Sequence, residues 1–327
     1  MTDSHYPWHE NYWQHLLAYV EQQRIPQALL LQGITGLGKY QLASRFAQYL
    51  MCLAPNRQSS CHHCAACKLF IANTHPDFIV LQPEEEGKSI TIDVLRQLMQ
   101  QLVLKPQYST YRVVIVHLAE HLNNNSANAF LKCLEEPPER TLFILLTEQV
   151  QQLPATIISR CQKLVLTAPD ATVAQQWLGT QGIYESQQPL LNLAQGAPLL
   201  ALDYAQQNSL QLRNQCFADW ESIVKANACP IILAEKWYKL AGQPLLQWLI
   251  SWTEDLIKCT FQVPSRFLLN SDLASALQGL ATGVALNNLF DFYGLLMKDT
   301  YRIQTQLNKQ LLFEEILITW SQAKVKR

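Results

Sequence analysis

The chain has 327 residues, enough for two or three domains and too many for one typical core. Hydrophobic residues make up 49% and charged residues 16%, which excludes a disordered chain; a formal net charge of -1 argues against a strongly basic, free-standing DNA binder but leaves room for a local basic face. No apolar run reaches the roughly 18–20 residues of a membrane span, and the polar start Met1-Thr2-Asp3-Ser4-His5 has no signal-peptide pattern, so a cytoplasmic protein is expected.

Trp13, Leu16, Leu17 and Val20 recur at helical spacing and predict a helix over 9–23. A short apolar run, Ala28 to Leu31, follows Pro26 and ends at Gly33 in a glycine-rich turn. Leu42, Ala43, Phe46 and Leu50 then carry a second helix, so the unit is strand, glycine loop, helix. Phe78–Leu81, Val113–Val116 and Leu142–Leu146 read as buried strands, with Lys163–Leu166 a shorter one. Helical segments fall between them over 91–104 and 126–136. Strands alternating with helices predict a parallel α/β sheet covered on both faces. Strand signals stop after Pro169. Residues 169–207 read as a small helical domain and 208–327 as an all-α domain, with Leu245, Trp248, Leu249, Trp252 and Leu256 on one stripe. Phe290, Phe292, Tyr293, Leu296 and Met297 make a broader one.

Gly33-Ile34-Thr35-Gly36-Leu37-Gly38-Lys39-Tyr40 fits GxxxxGK between a strand and a helix. Glycines let backbone N–H groups converge on phosphate oxygens, and the helix N-terminus adds partial positive charge. Gly33, Gly36, Gly38 and Lys39 are therefore the candidate nucleotide-binding residues. The next position needs a hydroxyl for magnesium, but it holds Tyr40. A phosphate-loop ATPase also needs a strand ending in acid. Val113–Val116 runs instead into His117 and Leu118, and Glu120 is expected to lie where the loop has turned away. Independent ATP turnover is not expected, while binding of ATP or ADP at Lys39 is left open.

Of nine cysteines, Cys52, Cys61, Cys64 and Cys67 cluster. In a reducing compartment that spacing points to metal. Four thiolates close a tetrahedral zinc shell with no open position, so a structural Zn2+ is expected, with His62 and His63 as nearby alternative ligands. Cys133, Cys161, Cys216, Cys229 and Cys259 read as small core residues.

Asn128-Ala129-Phe130-Leu131-Lys132-Cys133-Leu134-Glu135-Glu136-Pro137-Pro138 resembles a stretch of the bacterial DNA polymerase III clamp-loader subunits, an AAA+ family, and Ser159-Arg160-Cys161 resembles their SRC motif. The cysteine cluster and His75-Pro76-Asp77 stand at matching places, and Tyr6-Pro7-Trp8 is similar to the delta-prime branch in particular. The resemblance covers nearly the whole chain and is weakest beyond residue 208. It implies an AAA+ P-loop domain over 1–168, a helical lid over 169–207 and a helical oligomerisation collar over 208–327. It also implies a ring with gamma/tau and delta subunits, a sliding clamp and primer–template DNA as partners, with no membrane. The family's sensor-2 arginine would fall three residues after Gly196, where Leu199 stands. With Tyr40, His117 and Leu118, that departure points to the non-hydrolysing role. The alternative is an active gamma/tau-like motor. Arg160 is then the arginine expected to reach a neighbouring subunit's ATP site. Arg96, Lys105 and Arg112 are candidate contacts to DNA phosphates, against the competing reading of a solvated charged face.

Overall fold

The computed structural model describes residues 5–83, 88–103, 105–108, 111–225, 227–240, 244–303 and 308–323. The chain divides into two compact units, Met1–Pro169 and Asp170–Arg327. Among the described residues no helix is long and apolar enough to cross a membrane.

The first unit is an α/β layer structure. A 3₁₀ turn, Pro7–His9, leads into α1 (Glu10–Glu21). The strands are β1 (Ala28–Gln32), β2 (Phe78–Leu81), β3 (Arg112–Val116), β4 (Thr141–Thr147) and β5 (Gln162–Val165). They form one sheet in the order β2-β3-β4-β1-β5 with every pairing parallel. Leu30 stands opposite Leu145 on one side and Lys163 on the other. The central strands β3 and β4 are buried along their whole length, as continuous apolar runs on a doubly covered parallel sheet require. At the edge, β5 buries only Leu164, because among the described residues one side of it has no neighbouring strand.

The helices are α2 (Lys39–Met51), α3 (Ala65–Ile71), α4 (Ile92–Leu102), α5 (Asn124–Glu135) and α6 (Ala155–Ile158). Leu30, Val114, Val116, Phe143 and Leu145 share a core with Leu95 and Leu98 of α4 and Phe130 of α5. Strand side chains alternate between faces, so this core covers one face of the sheet, and α2 packs against β3 and β4. The helix expected over 91–104 is α4, and residue 104 lies outside the described residues. Asn123 starts α5 by accepting the Ser126 N–H at 2.8 Å. Helix α3 was not expected from the sequence. At seven residues it is too short for apolar periodicity to reveal, and Cys64 caps it.

The second unit is helical. Helices α7 (Ala171–Thr180), α8 (Gln187–Leu193) and α9 (Pro198–Gln206) bury Ala174, Leu178, Leu190, Leu191, Ala201 and Tyr204 in one cluster. Helices α10 (Ser209–Val224), α11 (Pro230–Tyr238), α12 (Leu245–Thr260), α13 (Ala274–Ala281), α14 (Leu286–Arg302) and α15 (Lys309–Ser321) enclose a tryptophan-rich core. Trp220 and Trp320 stack with centroids 4.0 Å apart, and the Trp320 indole N–H donates to the Trp220 carbonyl at 2.9 Å. The α12 stripe Leu245, Trp248, Leu249, Trp252 and Leu256 is buried as its spacing predicted. The broader α14 pattern splits. Phe292 and Leu296 are buried, while Phe290 and Met297 are exposed.

Candidate functional site

In a parallel sheet, ligands gather beyond the carboxyl ends of the strands, where the strand order reverses. Here β1 lies between β4 and β5, and three candidate segments leave that edge. The loop 33–38 follows β1, His117 follows β3, and Glu148 follows β4.

Two glycines are needed for this loop shape. A Cβ on Gly33 would lie 2.7 Å from the Leu166 carbonyl oxygen. Gly38 has φ +82°, and a Cβ there would meet the His9 ring at 2.9 Å. Gly36 is also left-handed. Lys39 opens α2 and is buried. Its ammonium donates to the carbonyls of Gly33 at 2.7 Å and Ile34 at 2.9 Å, and stands 3.5 Å from a Glu148 carboxylate oxygen. Burial lowers the Lys39 pKa, while Glu148 and Glu120 act to raise it.

The Tyr40 ring leaves the loop and meets the His117 imidazole edge-on, with centroids 5.8 Å apart. Burial pushes the phenol up and the imidazole down. Leu118 follows in a left-handed conformation at φ +55°. Glu120 does not turn away as expected. Its carboxylate returns to accept the Glu148 N–H at 2.9 Å. The sequence reading also missed Glu148 and the N-terminal cover of the loop. Trp8 donates its indole N–H to the Leu37 carbonyl at 2.9 Å, and the His9 Nε2 lies 2.7 Å from the same oxygen. Glu148 was legible as the first acid after the apolar run of β4, but nothing in the spacing joins it to Lys39.

Arg160 follows α6. Its guanidinium donates to Glu135 at 2.7 Å and to the Thr156 carbonyl at 3.0 Å, and about a third of its side-chain surface is exposed. Both partners lie in its own chain. Leu199 stands in the first turn of α9, after a left-handed Gly196.

The Sγ atoms of Cys52, Cys61, Cys64 and Cys67 all lie within 4.8 Å of one another. Cys52 and Cys64 approach to 4.0 Å and Cys61 and Cys67 to 3.9 Å. Sulfurs about 2.3 Å from a tetrahedral ion would be about 3.8 Å apart, so the four fit one ion. Backbone N–H groups point at these sulfurs, from Cys61 to Cys52 at 3.3 Å, Cys64 to Cys61 at 3.3 Å and Cys67 to Cys64 at 3.4 Å. Such donors favour thiolate. Desolvation acts to raise the Cys61 thiol, but hydrogen bonds from the His63 and Cys64 backbone and the Cys52 and Cys64 side chains together bring it down to about 6, while burial pushes the Cys52 and Cys67 thiols up. His62 and His63 are not in the group of mutually close ligand atoms found among the described residues.

The three DNA candidates separate. Arg96 is exposed on α4 and pairs with Asp93 at 3.0 Å, and Lys105 is exposed. Arg112 is corrected: it is not a surface residue. It is buried at the start of β3 and donates to Asp77 through Nε at 3.3 Å and Nη2 at 3.1 Å. Asp77 also accepts the Gln107 N–H at 2.8 Å, so the carboxylate of His75-Pro76-Asp77 serves the fold.

Residues 8–170 match a family model described as DNA polymerase III, delta subunit, and residues 207–322 one described as DNA polymerase III, delta subunit, C terminal. The chain is 31% identical to the DNA polymerase III subunit delta' of Pseudomonas aeruginosa over 97% of each chain. It is 32% identical to the Yersinia pestis subunit delta', over 97% of this chain and 96% of that one. The DNA polymerase III subunit tau/gamma of Haemophilus influenzae is 33% identical, over 49% of this chain and 23% of its own.

Proposed function

The chain belongs to the delta-prime family of DNA polymerase III subunits, and from that membership we propose that it is the non-hydrolysing subunit of the clamp loader. It supports ATP-dependent loading of a sliding clamp onto primer–template DNA and supplies Arg160 to the ATP site of the adjoining gamma/tau motor.

The observation that carries the first half is the contact between Tyr40 and His117. Hydrolysis of a terminal phosphate needs a metal held beside the loop and a group that orients the attacking water. The two positions that would anchor the metal pack against each other, and Leu118 brings no base. The retained Gly33–Lys39 loop favours the second reading, an active motor. With an aromatic ring at Tyr40 and no acid at His117 or Leu118, that loop cannot complete the chemistry.

Arg160 supports the second half. An exposed ion pair like the one with Glu135 is worth at most about 1 kcal/mol, so a phosphate carrying more charge displaces the carboxylate. The guanidinium fork then donates to several phosphate oxygens at once. The cysteine set suits zinc, which is d¹⁰ and tetrahedral, and four thiolates leave no position for water. The zinc is therefore structural. Residues 169–207 are assigned as a lid and 208–327 as the collar that joins gamma/tau and delta. Contacts to DNA phosphates fall to Arg96 and Lys105. The protein acts in the cytoplasm.

An ATPase assay of the isolated chain tests the central reading. No turnover above background is expected. Turnover that vanishes in Lys39→Ala would make the chain a motor.

A further inference from the structure

The Lys39 ammonium has three N–H donors, and three acceptors surround it: the carbonyls of Gly33 and Ile34 and the Glu148 carboxylate. Two of these acceptors belong to the loop itself. The third is the only charged one of the three, and it comes from the residue that follows β4. The main chain that carries Glu148 is held in place. Its backbone N–H is held by Glu120 at 2.9 Å, and the neighbouring Gln149 N–H is held by the Thr147 hydroxyl at 3.2 Å. Thr147 is fully buried, and its carbonyl accepts the Gly33 N–H at 3.2 Å. The segment that carries the carboxylate is thus tied to the first residue of the loop.

The donor side of the loop is still built. Gly36 and Gly38 keep the left-handed geometry, and α2 starts at Lys39. Its first-turn N–H groups have no intrahelical acceptors and favour an anion. The outer wall is closed, because His9 and Tyr6 come within 2.9–3.1 Å of where a Gly38 Cβ would stand.

We propose that Glu148 is a resident counter-ion that takes the place of a nucleotide phosphate against Lys39, so that a phosphate enters this loop only by displacing it. The inference rests on the reading of Gly33–Lys39 as a relic phosphate loop. It adds why the loop stays closed although its lysine and glycines persist. One carboxylate neutralises the buried ammonium, and a second, Glu120, adds negative charge nearby. An incoming phosphate therefore meets repulsion where it should meet an unpaired cation. Removing the charge of Glu148 while keeping its shape takes away the one carboxylate in direct contact with Lys39, which favours the arrival of an anion beside the buried ammonium.

The test uses the full, zinc-loaded chain and inorganic pyrophosphate as probe, titrated by calorimetry in buffer without added divalent metal or chelator. Glu148→Gln is expected to bind pyrophosphate at least about tenfold more tightly than the unchanged protein, the size of effect a single partly buried charge gives. Glu148→Ala should show the same gain and covers the case of a poorly folding glutamine variant. The double variant Glu148→Gln, Lys39→Ala should lose the gain. Equal affinity in the unchanged and Glu148 variants would overturn the proposal, as would a gain that survives the loss of Lys39. Neither result bears on Arg160 or on assembly, so the clamp-loader reading stands or falls separately.

Discussion

The ring of Tyr40 meets the imidazole of His117 edge-on, with centroids 5.8 Å apart and planes at 84°. Tyr40 follows Lys39 at the start of α2, and His117 follows β3. On the proposed reading each stands where a hydrolysing subunit would hold magnesium, and here the two make an aromatic contact instead.

Tyr40→Ser restores the missing hydroxyl but not the carboxylates. The variant is expected to remain at background in an ATPase assay of the isolated chain. It should lose about 1–2 kcal/mol of stability, from the aromatic contact and the ring's buried area, read as a lower urea midpoint. Measurable hydrolysis by this single variant would show that His117 and Leu118 do not disable the site.

Stability should fall in mild acid. Burial brings the His9 pKa down from 6.5 to about 4, with the Leu37 carbonyl opposing the shift. The folded protein keeps His9 neutral, while the unfolded chain takes up a proton below pH 6.5. The contribution is complete above that pH and is lost progressively as pH falls toward 4. By pH 5 the cost is about 2 kcal/mol. Burial lowers His75 and His117 as well, with the same sign. Urea titrations at pH 7 and pH 5 measure the loss, and His9→Gln should make it smaller. An equal loss in that variant would remove His9 from the account.

Asp77→Asn should cost about 3–5 kcal/mol, because it leaves the Arg112 guanidinium buried without its counter-charge. Arg96→Ala and Lys105→Ala sit on the surface and should stay within about 0.5 kcal/mol of the unchanged protein. Chemical denaturation checks all three. DNA binding by the assembled loader separates them again, with Arg96 and Lys105 affecting it without loss of fold.

Much of this was legible in the sequence, and the parts that were not have physical reasons. Apolar runs gave the strands to within one or two residues, most clearly in β3 and β4, where both faces are buried. The loop and the cysteines were legible because glycines and thiolates at fixed spacing have few other uses. Arg112 was misread because a charged residue at a strand start looks exposed until its partner is known, and Asp77 lies 35 residues earlier. Glu120 was misplaced and Glu148 missed for the same cause. Their closeness to Lys39 depends on strand order β3-β4-β1, which no local pattern encodes. Helix α14 shows a further limit. Its aromatic positions look alike in sequence, yet Phe292 is buried and Phe290 exposed.

Elemental analysis of the purified protein should give one zinc per chain. Cys64→Ser should lower that figure and reduce the melting temperature, since Cys64 both faces Cys52 and caps α3. Structural zinc sites contribute folding energy directly, so a chelator strong enough to remove the ion should do the same. Full stability in metal-free protein would contradict a structural role.

The most direct test is rapid-quench ATP hydrolysis by a loader reconstituted with gamma/tau and delta subunits, comparing the unchanged chain with Arg160→Ala. Arginine fingers contribute about 10³–10⁵ in rate at the site they serve. The variant complex should assemble normally by gel filtration yet hydrolyse one ATP fewer in its fast phase, and Arg160→Lys should share the defect because ammonium lacks the fork. A fast phase of unchanged rate and amplitude in a fully assembled Arg160→Ala complex would contradict the account.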